Sequence, residues 1–206
     1  MQAIVLSGGE RAVRALVLPE HAFVICADSG LESAEPLGLA PDLVVGDLDS
    51  VDPAALAAAR AAGVEIEQHP VDKDSTDLEL ALGAARVRGA ERVIVVSGGP
   101  GERLDHFVAE LALLASDEGP AEALVGSSRI QVVRGPGSVE VRGEPGGLVS
   151  LVTARGDVRG VTTHGLRWAL DGETLRFGTT RGVSNELVGE RATVAIAAGV
   201  LLVVQP

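Results

Sequence analysis

Apolar and polar positions divide the chain into two textures. In the first, short and nearly all-apolar runs alternate with helix-like stretches. Ala3–Leu6, Ala22–Ala27, Leu43–Val45 and Arg92–Val96 are such runs, and Val64–Glu67 alternates. Short apolar runs closed by glycine or polar turns predict buried strands. Between them, Leu31–Leu37 reads as a short helix closed by Gly38. Asp52-Pro53 opens another over the alanine-rich run Ala54–Ala62. The aspartate can cap free N–H groups, and proline suits the first helical position. Leu78, Ala81, Leu82 and Ala85 fall on one face of a helix from Leu78 to Arg88, and a last helix spans about Leu104 to Ala115. Apolar strands alternating with helices predict an α/β domain over residues 1–125. Its sheet is parallel and Rossmann-like, with helices on both faces.

The second texture begins near Gly119-Pro120. Short alternating runs recur between glycine turns: Ile130–Arg134, Ser138–Arg142, Leu148–Val152, Leu166–Leu170, Thr174–Phe177, Ala192–Ala197 and Val200–Val204. A spacing of about ten residues predicts an all-β domain, a sandwich or barrel, over residues 126–206.

Composition narrows the partners. The chain has 206 residues and a net charge of -12, which disfavours nucleic acid and anionic membranes. A nucleotide substrate stays open, because a divalent ion can bridge acids to phosphates. No run approaches the ~20 apolar residues of a membrane-spanning helix, and no signal peptide is visible. The single cysteine, Cys26, lies in an apolar run and reads as a small buried side chain. These features predict a cytoplasmic protein.

The chemistry gathers at strand ends. Leu43–Val45 stops at Gly46, and Asp47 and Asp49 follow. Two residues apart in an extended chain, their carboxylates leave on one side and repel unless a cation lies between them. Carboxylates suit Mg²⁺, held with substrate phosphates. Ligands of open α/β sheets bind outside the carboxyl ends of the strands. Asp28 follows the second run, and Asp74 and Asp77 stand near a helix start, where an N-capping role for Asp74 or Ser75 is an equal reading. Arg103-Leu104-Asp105-His106 follows a glycine-rich turn and opens a helix, a natural anion site. With Lys73 and Arg103 beside them, these acids predict a metal–polyphosphate site. His21, His69 and His164 read as structural or surface residues. Trp168 reads either as core or as a stacking partner for a cationic aromatic ligand.

The ordered motifs resemble the thiamine pyrophosphokinase family. They are Ala27-Asp28-Ser29-Gly30, Pro41 to Ser50, Lys73-Asp74-Ser75-Thr76-Asp77 and Gly101 to His106. In the second half they are Gly160 to Thr163, Gly165 to Leu170 and Gly182 to Glu186. The resemblance implies an N-terminal α/β catalytic domain and a C-terminal thiamine-binding β-sandwich. It also implies a homodimer, with the site formed where one subunit's α/β domain meets the other's β domain. The implied reaction transfers the diphosphate of ATP to thiamine, with Mg²⁺. Asp47, Asp49 and Asp77 match the family's metal-site acids. Arg103 and Asp105 match its phosphate and metal contacts, and Asp28 matches the acid of its A-D-G-G motif. On the residues' own chemistry Lys73 and His106 are placed on the ATP side with Asp28, and for His106 a role in capping the helix or contacting backbone is an equal reading. Ser184 and Asn185 match a pair near the thiamine, beside Trp168. Asp77, Arg103 and Asp105 are the candidate catalytic residues, and Asp77 or Asp105 the candidate proton acceptor.

Three positions depart from the family pattern. Glu102 replaces a glycine, Ser29 replaces a glycine, and Glu110 stands where an asparagine is usual. Two rivals remain at this level: a diphosphokinase for another primary alcohol, and a non-catalytic thiamine or nucleotide sensor.

Overall fold

The computed structural model describes residues 1–9, 18–19, 21–99, 103–116 and 119–206. The chain forms two compact units. One comprises residues 1–110 and 123–127, the other residues 111–122 and 128–206.

In the first unit the strands are β1 (Gln2–Ser7), β2 (Phe23–Ala27), β3 (Leu43–Gly46), β4 (Glu65–Gln68), β5 (Arg92–Ser97) and β6 (Glu122–Val125). Their order in the sheet is β6-β5-β1-β2-β3-β4. The pairs β5–β1, β1–β2, β2–β3 and β3–β4 are parallel, as the continuous apolar runs require. Alternate pleat positions face opposite ways. Ile4, Leu6, Val24, Cys26, Val44, Ile94 and Val96 form one core with Ala59 of helix α1 (Pro53–Ala61). Helix α2 (Asp77–Val87) packs against β1, β2 and β3. Burial pushes the Cys26 thiol up to about 12, with the Asp42 charge adding to it. Such a thiol is inert.

Asp52 caps α1, accepting from the N–H groups of Ala54 and Ala55 at 2.8 and 2.9 Å. Ahead of it the expected helix over Leu31–Leu37 is instead two 3₁₀ turns, Asp28–Ser33 and Glu35–Leu37. Pro36 lacks the N–H that a continued helix needs. Gly38 then closes the segment at φ 67°. Helix α3 (Leu104–Leu114) follows β5. The turn residues Pro100, Gly101 and Glu102 lie outside the described residues, and so does the departure at Glu102.

The second unit holds β7 (Ser128–Arg134), β8 (Gly137–Arg142), β9 (Leu148–Thr153), β10 (Val158–His164), β11 (Glu173–Leu175), β12 (Asn185–Glu186), β13 (Arg191–Ile196) and β14 (Val200–Gln205). One run of neighbours is β12-β9-β14-β7, and a separate four-stranded sheet is β11-β10-β13-β8. Their pairings are antiparallel. Val133, Leu151, Leu201, Val158, Val161 and Val194 belong to one apolar core drawn from both sets.

One strand expectation shifts here. Leu166–Leu170 is not a strand: it makes a single bridge, Leu166 to Leu187. The strand lies earlier, at β10, where the pairing with β11 slips between Val158 and Val161. Gly160, at φ 65°, lies within that slip. A bulge of this kind breaks the period-two alternation that strand reading depends on.

Candidate active site

Backbone strain coincides with the predicted chemistry. Among the described residues, the non-glycine residues with positive φ are Asp28 (46°), Leu48 (67°) and Ser184 (60°). Left-handed backbone is unfavourable for leucine in particular and concentrates where function requires it. Asp28 is a candidate ligand, Leu48 joins Asp47 to Asp49, and Ser184 belongs to the second-half motif.

The turn at Leu48 corrects the extended-chain argument for Asp47 and Asp49. The chain curls after β3, and the Asp49 N–H donates to Asp47 Oδ1 at 3.3 Å. Curling, not strand alternation, brings the carboxylates together. Oxygens of Asp28, Asp47 and Asp49 lie within 4.8 Å of one another. Asp28 is only 8% exposed, and its buried Oδ1 has no hydrogen-bond partner among the described residues. Burial pushes its carboxyl above the usual range, a hydrogen bond from the Ser29 backbone opposes this, and the charges of Asp77, Asp47 and Asp49 push further up.

Asp77 begins α2, with Thr76 as N-cap, so neither Asp74 nor Ser75 takes that role. The Thr76 Oγ1 accepts from the Glu79 N–H at 3.3 Å. Asp77 stands next to the cluster across Gly46. A Cβ at Gly46 would lie 3.0 Å from Asp77 Oδ1 and 3.2 Å from Asp28 Cβ, so the end of β3 must be glycine for these acids to close on it. Lys73 joins the two sides. Its Nζ donates to Asp47 Oδ2 at 2.5 Å and lies 3.2 Å from Asp77 Oδ1, without hydrogen-bond geometry on that oxygen. The Lys73 hydrogen bond lowers the Asp47 pKa and, reciprocally, raises that of Lys73.

Three oxygen donors around one point, one of them orphaned and desolvated, fit a hard divalent cation. Mg²⁺ takes carboxylates and substrate phosphates in this way.

Arg103, Asp105 and His106 form a second group at the start of α3. Arg103 binds Asp105 through Nε to Oδ1 at 2.9 Å and Nη2 to Oδ2 at 2.8 Å, and its Nη2 lies 2.6 Å from His106 Nε2. This group is solvent-exposed, and among the described residues its side-chain hydrogen bonds run among its own members. The guanidinium holds the Asp105 carboxyl well below the usual carboxylate range.

The second-half residues form a third group. Trp168 is 53% exposed and outside any strand, so it is not core. Asn185 is 4% exposed and spends its amide on the tryptophan backbone. Its Oδ1 accepts from Trp168 N–H at 3.1 Å and its Nδ2 donates to Trp168 C=O at 2.8 Å. Asn185 therefore fixes the backbone of Trp168. Arg167 covers the indole at 4.9 Å from the ring centroid and is tethered to Glu186 Oε2 at 2.8 Å. The Ser184 N–H donates to Ser150 Oγ at 3.0 Å.

Sequence reasoning missed the tethers Arg167, Glu186 and Ser150. It also missed the partner of Glu110, a residue noticed only as a departure. Glu110 is buried on α3, accepts from Ser97 Oγ at 3.0 Å and leaves Oε1 unpartnered. Ser97 Oγ in turn accepts from the Gly99 N–H at 3.3 Å.

Two stretches of the chain match family models. Residues 15–121 match the thiamin pyrophosphokinase catalytic domain, and residues 137–201 match the thiamin pyrophosphokinase vitamin B1 binding domain. The chain belongs to the thiamin pyrophosphokinase family. Asp28, Asp47, Asp49, Lys73, Asp77 and Arg103 fall in the catalytic match, whereas Trp168, Ser184 and Asn185 fall in the vitamin-binding match. The thiamine pyrophosphokinase of Bacillus subtilis (strain 168) is 27% identical over 190 residues, spanning 90% of this chain and 88% of the relative. The fold agrees. A crystal structure of thiamine pyrophosphokinase from Bacillus subtilis superposes with a TM-score of 0.82 at 24% identity, covering 100% of this chain and 98% of that one. Thiamin pyrophosphokinase from Candida albicans keeps a TM-score of 0.74 at 12% identity, covering 99% and 89%.

Proposed function

We propose that this protein transfers the diphosphate of ATP to the hydroxyl of thiamine, giving thiamine diphosphate and AMP. The observation that carries this reading is the match to both domains of one enzyme family. The carboxylate cluster falls within the catalytic match and supports it. In the reaction the thiamine hydroxyl oxygen bonds to the β-phosphorus. The bridging bond from the β-phosphorus to the α-phosphate oxygen breaks, AMP departs with that oxygen, and the hydroxyl proton passes to a base.

Such transfer depends mostly on positioning and charge neutralisation. Asp47 and Asp49, with Asp28 and the adjacent Asp77, would hold Mg²⁺, which neutralises phosphate charge when bound. Lys73 and Arg103 take further phosphate charge, and His106 supports Arg103. Asp105 is the poorer proton acceptor, because Arg103 holds its carboxyl so far down. Asp77 is the other candidate, with the Lys73 ammonium 3.2 Å from its Oδ1. Trp168 offers a half-exposed aromatic face to the cationic thiamine, Asn185 fixes its backbone, and Ser184 lies beside it in the chain.

The family resemblance also supports a Rossmann-like first domain, a β-sandwich second domain and a homodimer with a shared site. Dependence on ATP and a single inert thiol support a cytoplasmic setting. Among the described residues no helix is long and apolar enough to cross a membrane.

AMP release from ATP and Mg²⁺, with and without thiamine, tests the reading. Thiamine-dependent AMP with matching thiamine diphosphate is expected. Turnover with another primary alcohol in place of thiamine, or thiamine binding without AMP, overturns it.

A further inference from the structure

Lys73 lies where a cation belongs. Its side chain is 14% exposed, and its ammonium nitrogen is 2.5 Å from Asp47 Oδ2 and 3.2 Å from Asp77 Oδ1. Asp47 is also one of the three acids whose oxygens share a 4.8 Å neighbourhood. One ammonium thus engages a carboxylate that a divalent ion needs. A free ion entering the cluster must break that pair and then sit beside the ammonium it displaced. Like charges a few ångströms apart in a partly buried site repel strongly. The lysine stem is flexible, so the ammonium can leave by a change of rotamer. It leaves readily only when another anion accepts it.

We propose that Lys73 makes the acid cluster select the metal–nucleotide complex over the free metal ion. This rests on the metal site proposed above. Without nucleotide, Lys73 is the counter-ion of Asp47 and Asp77 and holds the cluster against a bare cation. When the cation arrives with a triphosphate, the ammonium turns from the carboxylates onto a phosphate oxygen. Asp47 exchanges one cation for the other, no proton moves and no covalent bond changes. Nucleotide and metal then bind cooperatively, because each removes the other's obstacle.

Mn²⁺ binding, read by electron paramagnetic resonance on the whole protein, tests this with and without a non-hydrolysable ATP analogue. In the absence of nucleotide, Lys73→Met is expected to bind Mn²⁺ about tenfold tighter than the wild type. The extra tightening caused by the analogue should shrink in that variant. Lys73→Arg, which keeps the charge, should stay near the wild type. Lys73→Gln provides a second neutral variant should Lys73→Met fold poorly by circular dichroism. Free Mn²⁺ bound no tighter by both neutral variants than by the wild type overturns the role of Lys73. A wild type that binds no Mn²⁺ even with the analogue, like Asp49→Asn, overturns the metal site instead.

Discussion

Two groups of charged residues stand on the first unit, and they are built on opposite terms. Around Gly46, Asp28, Asp47 and Asp77 are buried or half-buried, strained at Asp28 and Leu48, and incompletely paired. At the start of α3, the Arg103 and Asp105 side chains are 64% and 66% exposed and satisfied by each other. Acid sequence is similar in both places; environment is not. A desolvated carboxylate without a partner is costly to keep unless something occupies it. An exposed bidentate pair can open cheaply for an incoming phosphate. The first group reads as a socket of fixed shape, the second as an adaptable clamp.

The comparison breaks most visibly at the socket. Asp49→Asn should lower kcat by several orders of magnitude while the circular dichroism spectrum and melting temperature stay near the wild type. A near-normal rate in that variant removes Asp49 from the proposed metal site. Gly46→Ala comes next. Its added methyl meets Asp77 Oδ1 at 3.0 Å and Asp28 Cβ at 3.2 Å, so both acids must move. A shift of a few tenths of an ångström in both acids should lower kcat/KM by less than the roughly hundredfold that a full ångström costs, and overpacking should cost about 1–3 kcal/mol of stability. Unchanged kinetics in Gly46→Ala would mean that the acids do not need their present spacing.

Much of the socket was legible because its acids follow apolar runs that could only be strands. Asp47, Asp49, Asp28 and Asp77 all lie where strand ends or a helix start bring them to one edge. The means of convergence was not legible, because it is a left-handed turn at a leucine, a residue that carries no turn signal. The strand at β10 was hidden for a related reason: its bulge removes the alternation. Asn185 illustrates a third limit. The motif marked the residue, but only the folded chain brings its amide to the Trp168 backbone, 17 positions away. Arg167 and Glu186 were invisible as a pair, since 19 residues separate them in the chain.

Glu110 sharpens the contrast by being a buried acid on the same helix as the exposed clamp. Burial pushes its carboxyl above the ordinary 4.5, while the Ser97 hydrogen bond opposes this less strongly. The folded protein therefore holds this proton more tightly than the unfolded chain. The resulting stability is fully present below the ordinary value and is lost as pH rises through the raised one. Glu110→Gln cannot ionise, so its melting temperature should gain on the wild type as pH is raised from below 4.5 to neutrality. A gain of a few degrees is expected at neutral pH. A difference independent of pH would mean that the carboxyl does not ionise at a cost.

The smallest effect is expected at Asp105, and it separates the two groups most cleanly. Arg103 holds the Asp105 carboxyl well below its usual range, so this pair is charged throughout the neutral region. Both side chains are mostly in water, where screening leaves little net stabilisation. Asp105→Asn should melt at the wild-type temperature. What it loses is the fork that aims Arg103, because an amide accepts through one oxygen and not two. KM for ATP should rise several-fold and become more sensitive to salt, since a loosely held guanidinium meets phosphate through longer-range attraction. A fall of several degrees in melting temperature would show that the pair is structural. The clamp would then be as rigid as the socket, and the division between the two groups would fail.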